Sequence, residues 1–181
     1  MSEIIIAGSK LSKRKLAIQK LFRPLSRSSH VDTFYRLGAD EVLIGLGIDN
    51  FGGSLRSARH PSKFEHIFLN YFEVWRPKLD GKNLYLTKAY FHLDQPNQDG
   101  SGDEELLALH CDPAIPKTES SYQYKRGPHL HIAGARWDLS KAHIAMCLTN
   151  LDHDCSNIDT LTNALDRIIK MIDEELMPQF A

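Results

Sequence analysis

The order of strand-like and helical segments constrains the fold of this chain more than any other feature. Extended runs follow one another through the middle of the chain, and a long run with a 3.6-residue period comes after them. The extended runs are residues 64–75, 84–93, 106–111 and a region spanning 122–125 and 128–132, the first of which is also compatible with a buried helix. Strands gathered in the middle with helices at the ends predict an α+β fold built on an antiparallel β-meander.

The two flanking segments are predicted to be helices. Near the N-terminus Ser12 is a candidate cap, and apolar residues recur on one face until Pro24 ends the run. The long C-terminal helix is predicted to begin after Asp159 and Thr160. Its apolar face consists of Leu161, Leu165, Ile168, Ile169 and Ile172.

The charge is balanced over the whole chain but not along it. The 181 residues hold 22 Lys and Arg against 23 Asp and Glu, for a net charge of -1, so no global field attracts nucleic acid or acidic lipid. Between Lys10 and Arg36, however, there are eight basic residues and only one acidic residue, Asp32. We therefore expect residues 1–60 to form a basic N-terminal extension packed on a core of residues 61–181.

The composition is that of an ordinary globular protein of the cytoplasm. Hydrophobic residues make up 42% and charged residues 25% of the chain, which argues against extensive disorder. The chain shows no apolar run of the kind that a signal peptide or a membrane span requires. Its three cysteines are therefore expected to be reduced thiols.

A His-x-His pair in the last predicted strand is the first candidate for chemistry. His129 and His131 point to the same face of a strand and can hold a metal ion with His110 or Asp112. The same pair is also compatible with a catalytic or orienting role, or with a half-exposed polar surface. Residues 134–137 offer no downstream carboxylate, and we therefore predict neither a metal ligand nor a cofactor.

Cys147 is the second candidate for chemistry. It ends a short apolar run just before a polar connection, four residues after His143, where a partly exposed thiol is a candidate nucleophile. A cysteine within an apolar run is equally typical of a core. The face on which Cys111 lies depends on the strand register, and Cys155 stands in a polar segment.

The segment from residue 106 to the C-terminus resembles the ubiquitin-conjugating enzymes, in a divergent form of prokaryotic type. The landmarks of that family are an apolar strand closing on a proline, an aromatic pair with a proline nearby, an apolar-Cys-Leu sequence and a Thr-Leu helix start. Here they are the residues from Leu106 to Pro113, Tyr122 and Tyr124 with Pro128, Met146-Cys147-Leu148, and Thr160-Leu161. The resemblance implies a UBC-like α+β core without a cofactor.

The resemblance also implies an activity and partners. Cys147 would accept the C-terminus of a ubiquitin-like modifier as a thioester from an adenylating, ubiquitin-activating-like enzyme, and pass it to an amine. The N-terminal helix is similar in character to the family's first helix, which docks the activating enzyme. The basic residues that would bind this partner are Lys13, Arg14, Lys15 and Lys20.

Two roles of the family's site have candidates in this sequence. The stretch where the family carries its oxyanion-stabilising asparagine holds Arg-Trp-Asp-Leu at 136–139, so His129, His131 or His143 is the candidate substitute. Asp152, in the connection after Cys147, is a candidate for deprotonating the incoming lysine.

Two alternatives belong to other classes of protein. One is a noncatalytic UBC-like binding subunit in which Cys147 is buried. The other is a small toxin-like ribonuclease in which His129 and His131 act with Lys125 or Arg126, while the N-terminal helix holds phosphates.

Overall fold

The fold follows from a computed structural model that describes residues 3–38, 40–47, 59–97, 100, 102–114, 117–119, 129–132, 142–145 and 157–179. Within these residues lie nine strands and two α-helices. The strands are β1 (Ile5–Ala7), β2 (Thr33–Leu37), β3 (Val42–Leu46), β4 (His60–Pro61), β5 (Phe68–Pro77), β6 (Asn83–Pro96), β7 (Asp103–Cys111), β8 (His129–Ile132) and β9 (Ala142–Ala145). The helices are α1 (Leu11–Phe22) and α2 (Ile158–Met171).

All of these strands belong to one antiparallel sheet. Its order is β2-β3-β5-β6-β7-β8-β9, while β1 pairs with β6 and β4 pairs with β5. From β5 to β9 the strands follow one another as a meander, which confirms the predicted antiparallel α+β class. The segment that was compatible with either a strand or a helix forms most of β5.

The N-terminal residues are part of this sheet. The segment before residue 61 contributes β1, β2 and β3 as well as α1, so strand pairing is continuous across the boundary at residue 60. Gly45 in β3 is needed there, because a Cβ atom would lie 2.5 Å from the Phe34 ring and from the carbonyl oxygen of Tyr71. The close packing of β2, β3 and β5 therefore depends on the absence of a side chain at this position.

Both helices pack on the same face of the sheet. The ring of Phe22 in α1 lies 4.8 Å from that of Tyr71 and 5.2 Å from that of Phe91, between centroids. Leu161 and Leu165 of α2 join the same buried cluster. Burial of these apolar surfaces is the main force that holds the helices to the sheet.

The two helices begin differently from one another. The side chain of Asn157 caps α2 by accepting hydrogen bonds from the backbone N–H groups of Asp159 and Thr160, in a capping box. The prediction that Ser12 caps α1 is wrong, because a 3₁₀ turn over Gly8–Lys10 runs into the helix and places its N-cap at Lys10. In the described part of the chain no helix is long and apolar enough to cross a membrane.

Candidate functional site

Two rows of cross-strand partners bring histidines together on the sheet face that α1 and α2 leave uncovered. In one row Tyr90 pairs with His110, and His110 pairs with His129. In the other row Ala108 pairs with both His92 and His131, and His131 in turn pairs with His143. Direct partners in an antiparallel sheet share a face. We call this surface the histidine face; its histidine positions are His92, His110, His129, His131 and His143.

A β-bulge adds a carboxylate to the histidine face. Regular alternation along β7 would place Glu105 with Leu107 and Leu109, on the face that the helices cover. Instead Leu93 pairs with Leu107 while Asp94 pairs with Glu105, so the register shifts and Leu106 is the extra residue. The bulge thereby directs Glu105 toward the histidines.

Glu105 and His92 form a buried pair on this face. Oε2 of Glu105 lies 3.0 Å from Nδ1 of His92, whose side chain is 2% exposed. An ionised carboxylate can only accept a hydrogen bond, so Nδ1 donates here, and in the neutral imidazole Nε2 carries the lone pair. Within the described residues, this buried Nε2 has no hydrogen-bond partner.

Aromatic contacts hold His110 next to this pair. Its ring stacks on Tyr90 with centroids 4.0 Å apart and lies 5.0 Å from the ring of His92. The Tyr90 hydroxyl donates a hydrogen bond of 2.6 Å to Oδ1 of Asp112. Burial, together with this bond to Asp112, raises the pKa of Tyr90, so the phenol stays protonated at neutral pH.

A cation lies near the Tyr90 ring. Lys88 is exposed, and its Nζ lies 5.8 Å from the centroid of the Tyr90 ring. The site thus combines imidazoles, a carboxylate, a protonated phenol and an ammonium group. Such a set can transfer protons and stabilise negative charge on a bound ligand.

Three candidate metal ligands also lie here. Among the described residues, ligand atoms of His92, Glu105 and His110 all lie within 4.8 Å of one another. From the sequence, His110 is a candidate ligand, but no metal site is predicted because no carboxylate follows in register. Asp112, the other candidate considered, is hydrogen-bonded to Tyr90 instead.

The site residues predicted from the sequence do not all lie on the histidine face. The backbones of His129 and His131 in β8 and of His143 in β9 occupy positions on the histidine face. Cys147 and Asp152 lie outside the described residues. The register settles the position of Cys111, which is buried on the opposite face against α2.

The basic residues predicted to dock a partner lie on α1, and one of them is internal. Lys13 and Lys20 are exposed and Lys15 is half-buried, but the Arg14 side chain is only 3% exposed. Its guanidinium forms a salt bridge with the fully buried carboxylate of Glu73 in β5. Arg14 therefore belongs to the protein interior and not to an exposed docking surface.

Four residues of the site were not predicted from the sequence: His92, Glu105, Tyr90 and Lys88. A signal for part of the set was present, because Lys88, Tyr90 and His92 alternate with buried apolar residues along one strand. Glu105 had no such signal, since its position depends on the bulge.

No protein-family model, curated protein or solved structure matches this chain.

Proposed function

We propose that the histidine face is the active site of an enzyme that cleaves RNA phosphodiester bonds by general acid–base catalysis. The observation that carries this proposal is the register of β6 to β9, which aligns histidine positions from four neighbouring strands in two adjacent rows. Imidazole is the side chain whose ordinary pKa best suits proton transfer near neutral pH.

The reaction needs two proton transfers: one from the oxygen that attacks the phosphorus atom and one to the oxygen that leaves it. In our proposal one imidazole of the His129 and His131 pair takes the proton of a ribose 2′-hydroxyl, whose oxygen then forms a bond to phosphorus. The bond to the 5′-oxygen breaks, and the second imidazole, in its protonated form, donates a proton to that leaving oxygen. The products are a 2′,3′-cyclic phosphate and a 5′-hydroxyl.

Lys88 is the proposed source of positive charge for the phosphate. It is exposed beside Tyr90, and an ammonium group there can stabilise charge that develops on the phosphoryl oxygens. The contact with RNA is then local, as the near-zero net charge of the chain requires. The lysines of α1 take no part at this site, because that helix packs on the opposite face of the sheet.

A fluorogenic RNA oligonucleotide assay tests this function. We expect cleavage to fall by about 100-fold or more in His131→Ala, the typical contribution of a general acid or base. Lys88→Met should weaken cleavage, whereas Lys82→Met, an exposed lysine in the turn before β6, serves as the matched control. Absence of cleavage by the wild-type protein, or full activity in His131→Ala, would contradict the proposal.

A ubiquitin-like-protein carrier that forms its thioester on Cys147 is the second proposal. One observation favours it: α2 begins at Ile158, so Thr160 and Leu161 lie in its first turn, where the resemblance to ubiquitin-conjugating enzymes expects a helix to start. In addition, β9 brings His143 next to His131 and ends two residues before Cys147. These histidines remain the candidates for stabilising the oxyanion in this chemistry.

The carrier is tested by mixing the protein with a cognate activating enzyme, ATP and the modifier. We expect a thiol-reducible adduct that is lost in Cys147→Ser. Cys111→Ser is the matched control. Cys111 is buried against α2, so its substitution should leave the adduct intact. If no adduct forms and native Cys147 does not react with iodoacetamide, the noncatalytic binding subunit is favoured instead.

A further inference from the structure

Among the described residues, three side chains with mutually close ligand atoms lie on the histidine face and come from only two strands. His92 lies on β6, while Glu105 and His110 lie on β7, and their ligand atoms are within 4.8 Å of one another. Zinc binds imidazole nitrogen at about 2.0–2.1 Å, which places two neighbouring imidazole ligands roughly 3–3.5 Å apart. The rings of His92 and His110 have centroids 5.0 Å apart, and rotation of the half-buried His110 side chain can adjust the distance between their nitrogens.

The His92 ring supplies a second, independent indication of a ligand. Its side chain is 2% exposed, and Nε2 is buried with no hydrogen-bond partner among the described residues. Buried polar atoms of folded proteins are nearly always paired, so an orphaned one calls for an explanation. A metal ion bound at this lone pair provides one.

The partner of the other ring nitrogen fits the same explanation. Nδ1 of His92 lies 3.0 Å from Oε2 of Glu105. Histidines that bind metals commonly donate their second ring N–H to a carboxylate, which fixes the tautomer and the ring orientation. The bulge at Leu106, which directs Glu105 to this face, therefore serves to build the site.

We propose that His92, Glu105 and His110 form a binding site for one divalent transition-metal ion. The two imidazoles are the nitrogen ligands, and Glu105 positions His92 and supplies negative charge. Imidazole ligands select zinc, copper, nickel or iron over magnesium and calcium. The proposal deepens the proposed RNA cleavage, because a metal ion at this point would polarise a phosphoryl oxygen, but its test needs no substrate.

Calorimetric titration of the EDTA-treated protein with Zn²⁺ tests the proposal. We expect one equivalent to bind, with the affinity lowered at least 100-fold in His92→Ala or His110→Ala. Glu105→Gln should lower it by about 10- to 100-fold, which is typical for a group that holds a ligating histidine. His66→Asn is the control, because His66 is exposed and lies in a turn outside this face.

A second measurement on the wild-type protein keeps the test decisive if a variant does not fold. X-ray absorption of the zinc-loaded protein should show at least two imidazole ligands. No zinc binding, coordination by oxygen alone, or unchanged affinity in folded His92→Ala and His110→Ala would each overturn the proposal. RNA cleavage is measured separately with and without EDTA, so loss of the metal site and loss of the proposed activity are distinguishable.

Discussion

Glu105 meets His92 on the histidine face only because β7 is bulged at Leu106. The carboxylate oxygen and Nδ1 of His92 are 3.0 Å apart, although regular strand geometry would have placed Glu105 on the helix-covered face. The bond fixes which nitrogen of His92 carries the proton. This pair therefore determines the chemical character of the buried His92 imidazole.

Glu105→Leu is expected to destabilise the fold by about 1–3 kcal/mol, because it leaves the buried Nδ1–H of His92 without its acceptor. Glu105→Gln keeps an acceptor oxygen and should lose less. Urea unfolding measures both changes, and long-range ¹H–¹⁵N spectra of the imidazole report the tautomer. A Glu105→Leu variant with wild-type stability and an unchanged His92 tautomer would show that the bond has no such role.

His60 gives a prediction about pH. Burial lowers its pKa from the ordinary value, while Asp32 acts in the opposite direction, and Nε2 of His60 lies 2.6 Å from the Ser26 hydroxyl. As the pH falls, His60 is therefore protonated at a higher pH in the unfolded chain than in the folded chain. The stability contributed by His60 is full above about pH 6.5 and is lost as the pH falls below that value.

Urea unfolding between pH 7 and pH 5 measures this dependence. We expect His60→Gln to show a shallower loss of stability with acid than the wild type. His66→Asn is the matched control, because His66 is exposed and has a φ of 58°, a conformation that asparagine tolerates. The prediction fails if the free energy of unfolding of His60→Gln falls with pH as steeply as that of the wild type.

The elements that the sequence predicted well are those that depend on local periodicity. The apolar face of α2 and the alternating residues of β6 can be recognised within single segments, and the meander follows from their order. The approximate extent of β7 and β8 could be predicted on the same basis. Their pairing then brought His129 to the position opposite His110.

The remainder could not be predicted because it depends on contacts between distant segments. The pairing of β3 with β5, across residues that are far apart in sequence, has no local signal. The bulge at Leu106 changes which residues of β7 share a face, so the contact of Glu105 with His92 could not be predicted from the sequence. The burial of Arg14 likewise depends on Glu73, a partner 59 residues away.

Asn157 is expected to stabilise α2 through its cap. Its Oδ1 accepts hydrogen bonds from the backbone N–H groups of Asp159 at 2.9 Å and of Thr160 at 3.0 Å. Asn157→Ala should therefore lower the free energy of unfolding by about 1 kcal/mol. Asn163→Ala is the control, because Asn163 is exposed within the same helix, where alanine is the better helix former. Chemical denaturation of the two variants checks this; equal stabilities would show that the cap contributes nothing.

The Arg14–Glu73 salt bridge joins α1, β5 and α2 in the core. The Glu73 carboxylate also accepts hydrogen bonds from the Tyr71 hydroxyl and from Nε1 of Trp75, while Nη1 of Arg14 donates to Oγ1 of Thr162 at 2.6 Å. Burial alone would lower the pKa of Arg14, but the neighbouring Glu73 and Tyr71 more than offset it, so the pKa lies above its ordinary value. The guanidinium is charged at every pH at which the protein folds.

Arg14→Met is therefore expected to destabilise the protein by about 3–5 kcal/mol, because it leaves the carboxylate of Glu73 buried without its counter-charge. The double variant Arg14→Met/Glu73→Gln removes both charges and should lose less than the two single changes added together. Lys13→Met, at the exposed neighbouring position, should stay within about 0.5 kcal/mol of wild type. Urea unfolding at pH 7 of the wild type, Arg14→Met, Glu73→Gln, the double variant and Lys13→Met measures these changes; a Lys13→Met loss as large as that of Arg14→Met would refute the structural role of the pair.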